Sequence, residues 1–285
     1  MLREFRASHP HKELRVDAVS WHYIACGQGS KTLFLLPGAL VKADMWFQTI
    51  LAFEDKYRIL SPDNYVFQDT FDMQDICRAH AAILDAEGVP QAAVIGISGG
   101  GGVAQFFLQA YPERAEHVVF SHCGVVKPEN DADLQKRVKL IKLMPAPILW
   151  PILRAIARRG WEYPPSSEWV AFRRAYLREM GQLLDKKMFL QFMEEGAVAH
   201  RGFTFDPEIV RDFPGKMLIL SSRGDEWTAR QEQELRDRYP CARTHVFEEG
   251  GHHTFMLFPE VYNRVLGEFL DEAFSSQPSS GNRSS

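Results

Sequence analysis

Three residue types in this chain could together form a nucleophilic catalytic site: a serine, a histidine and an aspartate. Ser98 is the middle residue of the pentapeptide GISGG at 96–100, which matches the pattern G-x-S-x-G. An apolar run precedes the pentapeptide and a helical pattern follows it, which is the strand–turn–helix setting that the pattern requires. A serine hydroxyl is a poor nucleophile until a base removes its proton. The pattern therefore predicts a histidine on a loop that reaches Ser98.

The strongest candidate for this base is His252, which follows two glycines after a predicted strand and precedes a predicted terminal helix. A residue at the carboxyl end of a strand can reach the serine turn at the same edge of an open parallel sheet. Its neighbour His253 is the competing candidate. Other histidines come too early in the chain or lie within predicted elements: His9, His11, His22, His80, His117 and His245.

A carboxylate must orient the imidazole and stabilise its charged form. Asp225 comes just after the predicted strand 216–221. The adjacent Glu226 could replace it, and Asp63, after a weaker strand, is a third candidate. Aspartates after strands are often only turn residues or helix caps. The order of serine, aspartate and histidine along the chain favours Asp225.

The elements that must position these residues alternate between short apolar runs and longer amphipathic segments. This alternation predicts an α/β fold with a mostly parallel central sheet flanked by helices. The predicted strands are 16–26, 32–36, 58–61, 92–97, 117–121, 216–221 and 244–248, and the clearest predicted helices are 70–87, 100–111 and 259–274.

The pattern changes to helix after helix between residues 124 and 214, with no strong strand signal. We therefore predict a core formed by 1–123 and 215–274, with a helical insertion at 124–214. The small, polar residues 275–285 are expected to form a flexible tail.

The glycine run after Ser98 also allows a nucleotide-binding interpretation, because Gly99, Gly101 and Ala104 fit a loose G-x-G-x-x-A pattern. The run lacks the Lys-Ser/Thr ending of a P-loop. The following acidic residues, Glu113 and Glu116, come too soon for a ribose contact. We therefore expect no cofactor and no metal.

Taken together, these motifs resemble the α/β-hydrolase superfamily over about residues 16–274. The resemblance rests on the order Ser98, Asp225, His252 and on the segments LLPGAL, GISGG, SSRGDEW and EEGGHHTFMLFPEVYNRVLGEFL. It implies an α/β-hydrolase fold in which residues 124–214 form a helical cap between the sixth and seventh strands. It also implies an oxyanion hole formed by the backbone N–H groups of Ala39 and Gly99.

The chain departs from the family pattern at two places. Pro37 precedes Gly38 where the family commonly has His-Gly, and Gly99 follows the serine where a larger side chain is common. The glycine is expected to enlarge the acyl side of the site. A serine at 98 rather than an aspartate argues against haloalkane dehalogenases and epoxide hydrolases.

Apolar residues in the insertion have two interpretations, an ordinary helix–helix core or the wall of a substrate pocket. Arginines in the same region favour a solvated helix face over recognition of an acidic substrate. The apolar residues are Leu140, Ile141, Leu143, Met144, Ile148, Leu149, Trp150, Ile152 and Leu153, and the arginines are Arg154, Arg158 and Arg159.

Composition excludes other classes of function. The 33 basic and 37 acidic residues give a formal net charge of −4, unlike the basic surface of a nucleic-acid-binding protein. The apolar stretch 143–157 is short and broken by prolines, so no membrane span is predicted. The first residues show no secretory signal, and the four cysteines lie far apart and read as reduced thiols. A cytoplasmic protein is the resulting expectation.

The leading functional hypothesis is hydrolysis of a carboxylic ester of a small apolar molecule through an acyl-enzyme on Ser98. A lactonase or a carbon–carbon bond hydrolase would use the same three residues, and haloperoxidase or perhydrolase activity stays open. A non-catalytic ligand-binding or receptor protein of the same fold is the alternative from another class. A monomer and a homodimer are both compatible with the sequence.

Overall fold

The computed structural model describes residues 2–64, 72–127, 132–161, 169–183, 186–199, 203–225, 228 and 231–275. The strands are β1 (His11–Val16), β2 (Val19–Cys26), β3 (Thr32–Leu36), β4 (Arg58–Pro62), β5 (Ala92–Ile97), β6 (Ala115–Ser121), β7 (Met217–Ser222) and β8 (Arg243–Phe247). They form one sheet with the order β1-β2-β4-β3-β5-β6-β7-β8. Strand β2 is antiparallel to both of its neighbours, and every pairing from β4 to β8 is parallel.

Helices flank this sheet and connect its strands. They are α1 (Leu2–Ser8), α2 (Phe47–Phe53), α3 (Met73–Ala86), α4 (Gly99–Ala110), α5 (Ala132–Leu143), α6 (Ala146–Trp161), α7 (Val170–Leu183), α8 (Lys186–Ala199), α9 (Pro207–Arg211), α10 (Glu232–Arg238), α11 (Thr254–Leu257) and α12 (Pro259–Ser275). Short 3-10 helices cover Ala43–Trp46, Pro112–Arg114 and Gly251–His253. Among the described helices, none is both long and apolar enough to cross a membrane.

The central strands are apolar on both faces because helices cover both sides of the sheet. Successive side chains of a strand point to opposite faces, and Leu33 and Phe34 accordingly belong to two separate hydrophobic clusters. Phe107 of α4 packs in the cluster of Phe34, and Leu266 of α12 packs in that of Leu33. The predicted fold class, a mostly parallel sheet between helices, is confirmed.

The amino-terminal part of the sheet differs from the prediction of one strand over 16–26. Two strands form a hairpin there, with Val16 paired to Val19. Asp17 occupies the turn with φ of +54°, a backbone conformation that Asp tolerates better than most side chains. The alternation of the sequence continues across this two-residue turn, so it does not show where one strand ends and the next begins.

Helices α5 to α9 occupy the chain between β6 and β7, and no strand occurs in the described part of that stretch. Helix α7 packs against the core, where the Phe172 ring stacks on that of Phe47 with centroids 3.4 Å apart. The apolar residues of α5 and α6 behave differently from one another. Leu149 is 3% exposed, whereas the four residues Leu140, Leu143, Ile148 and Ile152 are 61%, 83%, 54% and 45% exposed.

The expectation of a helix–helix core is therefore wrong for those four side chains. Amphipathic spacing predicts which face of a helix is apolar, but it does not predict whether another element packs on that face. That 124–214 forms a cap stays a prediction. The side chains of Arg154, Arg158 and Arg159 and the tail 276–285 lie outside the described residues.

Two glycines of α4 provide a test of how closely this helix packs on β3. A Cβ atom on Gly100 would lie 2.2 Å from the Leu36 carbonyl oxygen, whereas one on Gly102 would have only an ordinary contact at 3.6 Å from Val126 Cγ2.

We expect Gly100→Ala to lower the free energy of unfolding by about 1–3 kcal/mol or more. Gly102→Ala should leave it unchanged or raise it by up to about 1 kcal/mol, because alanine favours the helix. Urea unfolding of both variants measures the difference. Equal stabilities would contradict the close packing at Gly100.

Candidate active site

The turn between β5 and α4 holds Ser98 in a strained conformation. Its φ and ψ are +52° and −119°, which a residue with a side chain rarely adopts. A Cβ on Gly96 would lie 2.3 Å from the Gly100 carbonyl oxygen, so the turn requires glycine at that position. The Ser98 N–H donates to the Ser121 carbonyl oxygen at 2.9 Å, which fixes the turn to the end of β6.

The structure brings Ser98, His252 and Asp225 together at the carboxyl edge of the sheet. His252 Nε2 lies 2.8 Å from Ser98 Oγ, and His252 Nδ1 lies 3.0 Å from Asp225 Oδ2. With Nδ1–H donating to the carboxylate, Nε2 presents a lone pair that accepts the serine proton. The Asp225 and His252 side chains are only 1% and 10% exposed. This arrangement can deprotonate the hydroxyl of Ser98.

Asp225 is held by donors besides the imidazole. The Thr228 hydroxyl donates to Asp225 Oδ2 at 2.7 Å and the Thr228 N–H to Oδ1 at 3.3 Å. The Asp225 N–H donates to the Ser222 carbonyl oxygen at 3.2 Å. The two bonds from Thr228 compensate the carboxylate for its loss of water. Sequence reasoning missed Thr228, whose only signal is its position three residues after Asp225.

The competing histidine, His253, lies beside the His252 ring. Its ring packs edge-on to the His252 ring with centroids 5.4 Å apart. Burial lowers the pKa of His253 to about 3, so this imidazole is neutral near pH 7. The imidazole bonded to Ser98 is that of His252.

The competing carboxylate of Asp63 binds other groups. Asp63 accepts hydrogen bonds from the Ala43 N–H at 2.9 Å and from His11 Nε2 at 3.1 Å. It therefore holds the loop after β3. Glu226 lies outside the described residues.

The backbone N–H of Ala39 lies close to Gly99, as the resemblance implies. A Cβ on Gly99 would lie 3.1 Å from the Ala39 nitrogen and 3.2 Å from its Cβ. Both distances are tighter than most real contacts of a Cβ atom. Glycine at 99 therefore makes room for the loop after β3, and that it also enlarges the acyl side of the site stays a prediction.

Asn64 sets the orientation of the peptide between Gly38 and Ala39. Its side-chain Nδ2 donates to the Gly38 carbonyl oxygen at 2.9 Å, and the side chain is buried. In a trans peptide the C=O and the following N–H point in opposite directions. The Ala39 N–H therefore points away from Asn64. Sequence reasoning missed Asn64, because no motif connects it with Gly38.

Helix α7 contacts two of the loops that border the site. The Lys42 N–H donates to the Tyr176 hydroxyl oxygen at 3.0 Å, and Arg173 Nη1 donates to the Met256 carbonyl oxygen at 2.8 Å. Tyr176 and Arg173 are both fully buried. One helix from the region between β6 and β7 thus binds both the loop after β3 and the segment that follows His252.

Among the described residues, one group of three side chains has donor atoms within 4.8 Å of one another, as a metal site would require: His9, Cys26 and Glu54. It lies at the opposite edge of the sheet, since Cys26 pairs with Ile59 at the amino end of β4. The two ring nitrogens of His9 already lie 2.7 Å from Glu54 Oε2 and 3.0 Å from the Phe5 carbonyl oxygen. Burial raises the pKa of the Cys26 thiol to about 12, which keeps it protonated. The contact between His9 and Glu54 joins the end of α1 to the end of α2.

Comparison with known proteins identifies the family. Residues 33–265 match the alpha/beta hydrolase family. The chain is 26% identical over 273 residues to 2-hydroxy-6-oxononadienedioate/2-hydroxy-6-oxononatrienedioate hydrolase of Burkholderia vietnamiensis, covering 90% of this chain and 91% of that protein. It is 28% identical over 163 residues to 3-oxoadipate enol-lactonase 2 of Acinetobacter baylyi, covering 55% of this chain and 59% of that protein.

A solved structure supports the fold. A serine hydrolase from Cycloclasticus zankles matches with a TM-score of 0.72 at 19% identity, covering 92% of this chain and 97% of that chain. The family match extends without a break from β3 into α12. Because it includes every loop that contributes to this site, the chain belongs to the alpha/beta hydrolase family.

Proposed function

We propose that this chain is a serine hydrolase that cleaves a carboxylic ester of a small apolar molecule through an acyl-enzyme on Ser98. The observation that carries the proposal is the continuous hydrogen-bonded series from Ser98 Oγ through the His252 imidazole to the Asp225 carboxylate, with distances of 2.8 Å and 3.0 Å. Such a series activates a hydroxyl that is otherwise unreactive near pH 7.

The steps follow from the positions of the protons. Ser98 Oγ attacks the ester carbonyl carbon while its proton passes to His252 Nε2, and the carbonyl electrons move to the oxygen. The tetrahedral intermediate then expels the alcohol, which takes the proton from His252. A water molecule repeats the sequence on the acyl-enzyme and releases the acid. Asp225 stabilises the imidazolium in both halves.

The negative oxygen of the intermediate requires donors that are already in place. We assign this role to the backbone N–H groups of Gly99 and Ala39, each worth about 3 kcal/mol in comparable sites. Gly99 begins α4, whose amino end carries a partial positive charge. Asn64 supports the second donor by holding the Gly38 carbonyl oxygen on the opposite side of the same peptide.

The strain at Ser98 supports an enzyme over a binding protein of the same fold. A strained conformation costs on the order of 1–3 kcal/mol, and here it directs Oγ toward His252. Binding a ligand requires neither this strain nor a hydrogen-bonded base. Covalent reaction with a fluorophosphonate probe separates an activated serine from an inert one.

A second candidate, hydrolysis of a lactone or of a carbon–carbon bond, is favoured by the two curated relatives. One relative is a hydrolase of 2-hydroxy-6-oxononadienedioate and the other is an enol-lactonase. The same three residues would serve these reactions. A panel of p-nitrophenyl esters, lactones and diketone-like acids distinguishes the candidates by kcat/KM.

The first prediction concerns the three reacting residues. We expect Ser98→Ala to abolish fluorophosphonate labelling and, like His252→Ala, to lower kcat by about 10⁴-fold or more with the fold intact. His253→Gln is the matched control, and it should keep at least about a tenth of the wild-type kcat/KM. Labelling of the Ser98→Ala variant would refute the nucleophile. Activity that survives in His252→Ala but not in His253→Gln would transfer the role of base to His253.

The second prediction concerns the oxyanion donor of Ala39. In Asn64→Asp a carboxylate replaces the amide donor and repels the Gly38 carbonyl oxygen. We expect kcat to fall by about 10- to 1,000-fold with little change in KM, because the lost donor acts on the transition state. Affinity for a trifluoromethyl ketone inhibitor should fall in parallel.

Asn263→Asp is the matched control, since Asn263 Nδ2 also donates to a backbone carbonyl oxygen, that of Gln48, at 3.3 Å. It should keep wild-type kcat and inhibitor affinity. If Asn64→Asp also keeps both, the role assigned to Asn64 is refuted.

The third prediction concerns residues 124–214 as a cap. Helix α6 contacts the 3-10 helix that carries His252, so we assign the buried Leu149 to the wall that faces the acyl chain. We expect Leu149→Ala to move the optimum of a p-nitrophenyl ester series to longer acyl chains, with about 1–3 kcal/mol of discrimination per methylene. Leu143→Ala, at an exposed position, should leave the series unchanged. A series that is the same for wild type and both variants would refute the cap.

A further inference from the structure

His122, which the sequence pattern did not single out, directly follows β6 in a constrained position. The side chain is fully buried, and its φ of +45° is unusual for a residue with a side chain. The His122 N–H donates to the Leu220 carbonyl oxygen at 2.7 Å. The ring stacks parallel to that of Phe247, and it lies edge-on to the His252 ring with centroids 6.3 Å apart.

Two hydroxyl groups, those of Ser222 and Thr254, connect the His122 ring by hydrogen bonds to the loop that carries His252. His122 Nε2 lies 2.8 Å from Ser222 Oγ, and Ser222 Oγ contacts Thr254 Oγ1. Thr254 Oγ1 lies 3.0 Å from the carbonyl oxygen of Gly251, the residue before His252, and 3.0 Å from that of Glu249. A carbonyl oxygen only accepts, so the Thr254 proton must point toward these carbonyls.

The hydroxyl of Thr254 fixes the direction of every hydrogen bond in the series that links it through Ser222 to His122. Because Thr254 uses its proton on the carbonyls, Ser222 must donate to Thr254 and can only accept from His122. Nε2 of His122 therefore carries the proton. Nδ1 is then an acceptor, and it lies 2.9 Å from Ser121 Oγ. Ser121 accepts in turn from the Tyr262 hydroxyl at 3.0 Å, so each hydroxyl in the chain donates once.

The charge of His122 agrees with this arrangement. Burial and the neighbouring His252 lower the pKa of His122 to about 3, so the ring is neutral over the pH range in which a hydrolase works. A neutral ring places no positive charge against the imidazolium that His252 becomes during the proposed reaction. A charged ring at this distance would oppose that proton transfer.

The two serines that contact the His122 ring, Ser121 and Ser222, also bind the backbones of Ser98 and Asp225. The Ser121 carbonyl oxygen accepts from the Ser98 N–H at 2.9 Å, and the Ser222 carbonyl oxygen accepts from the Asp225 N–H at 3.2 Å. The imidazole between these serines thus joins three loops: those of the nucleophile, the acid and the base. This connection spans 100 residues of sequence between His122 and Ser222.

We propose that His122, as the neutral Nε2–H tautomer, is a positioning residue that holds the His252 loop in register with Ser98 and Asp225. The proposal rests on the hydrolase function proposed above. The proposed role does not require His122 to contact the substrate, because the imidazole acts through Ser222 and Thr254.

The test compares two replacements of the ring. His122→Phe keeps the volume and the stacking on Phe247 but breaks the hydrogen-bonded chain. His122→Gln offers one donor and one acceptor in its place. We expect His122→Phe to lower kcat by about 10- to 100-fold with KM little changed, since small misplacements of a reacting group have effects of this size. His122→Gln should recover most of the lost kcat.

The pH profile separates positioning from a merely structural role. In His122→Phe the acid limb of kcat/KM should move to lower pH by about half a unit or more, because a looser Asp225 contact stabilises the His252 imidazolium less. His122→Gln should restore the limb.

His117→Phe is the matched control, as His117 is also buried on β6 and its Nδ1 accepts from the Lys216 N–H at 3.0 Å. It should leave the limb in place. The proposal would be overturned if His122→Phe kept the wild-type kcat and the wild-type acid limb of kcat/KM. It would also be overturned if His117→Phe lowered kcat and moved the acid limb as His122→Phe does.

A measurement that needs no activity distinguishes failure of this inference from failure of the proposed function. Nitrogen-15 NMR of the His122 ring in the wild-type protein should show a protonated Nε2 and an unprotonated Nδ1 between pH 5 and 8. The opposite tautomer or an imidazolium would overturn the inference, whether or not the protein hydrolyses esters. Absence of fluorophosphonate labelling with the expected tautomer would refute only the proposed function. In that case, an unchanged His252 ring spectrum in His122→Phe would overturn the positioning role.

Discussion

The site depends on the close approach of backbone atoms at the turn between β5 and α4. A side chain at Gly96 would collide with the Gly100 carbonyl, and one at Gly100 would collide with the carbonyls of Leu36 and Pro37. This packing holds Ser98 at positive φ and brings the end of β3 against the same turn. Ser98 and the loop that carries Ala39 are therefore placed by one set of contacts. The strain at Ser98 is maintained by the surrounding sheet rather than by local preference.

In the proposed reaction, the electrostatics of the described residues favour His252 as the imidazole that accepts the proton. His253 and His122 both lie near the His252 ring, and burial lowers the pKa of each to about 3. Both rings are therefore neutral near pH 7. Asp225 is buried beside His252 with the Thr228 hydroxyl as a further donor. In the proposed reaction, a proton taken from Ser98 would then be stabilised by the carboxylate, and neither of these two rings would oppose it with a positive charge.

The helices between β6 and β7 are tied to the same loops. Tyr176 and Arg173 of α7 bind the backbone at Lys42 and Met256. Both side chains are fully buried, and the ring of Phe172, the residue before Arg173, stacks on Phe47 of the core. A displacement of α7 would therefore disturb the loop after β3 and the segment after His252. We accordingly assign discrimination among substrates to α6, which contacts the 3-10 helix of His252, and not to α7.

The sequence by itself predicted the buried parallel strands, because continuous apolar runs ending in small residues are typical of them. It also determined the glycine-rich turn at Ser98 and placed Asp225 and His252 on loops at the same edge. Only the tertiary structure decided the rest of the site. Asn64 and His122 bind partners 26 and 100 residues away, and no local pattern encodes such a pairing. Whether an apolar residue is covered, as Leu149 is and Leu143 is not, also depends on elements distant in sequence, since a helix face alone does not specify its neighbour.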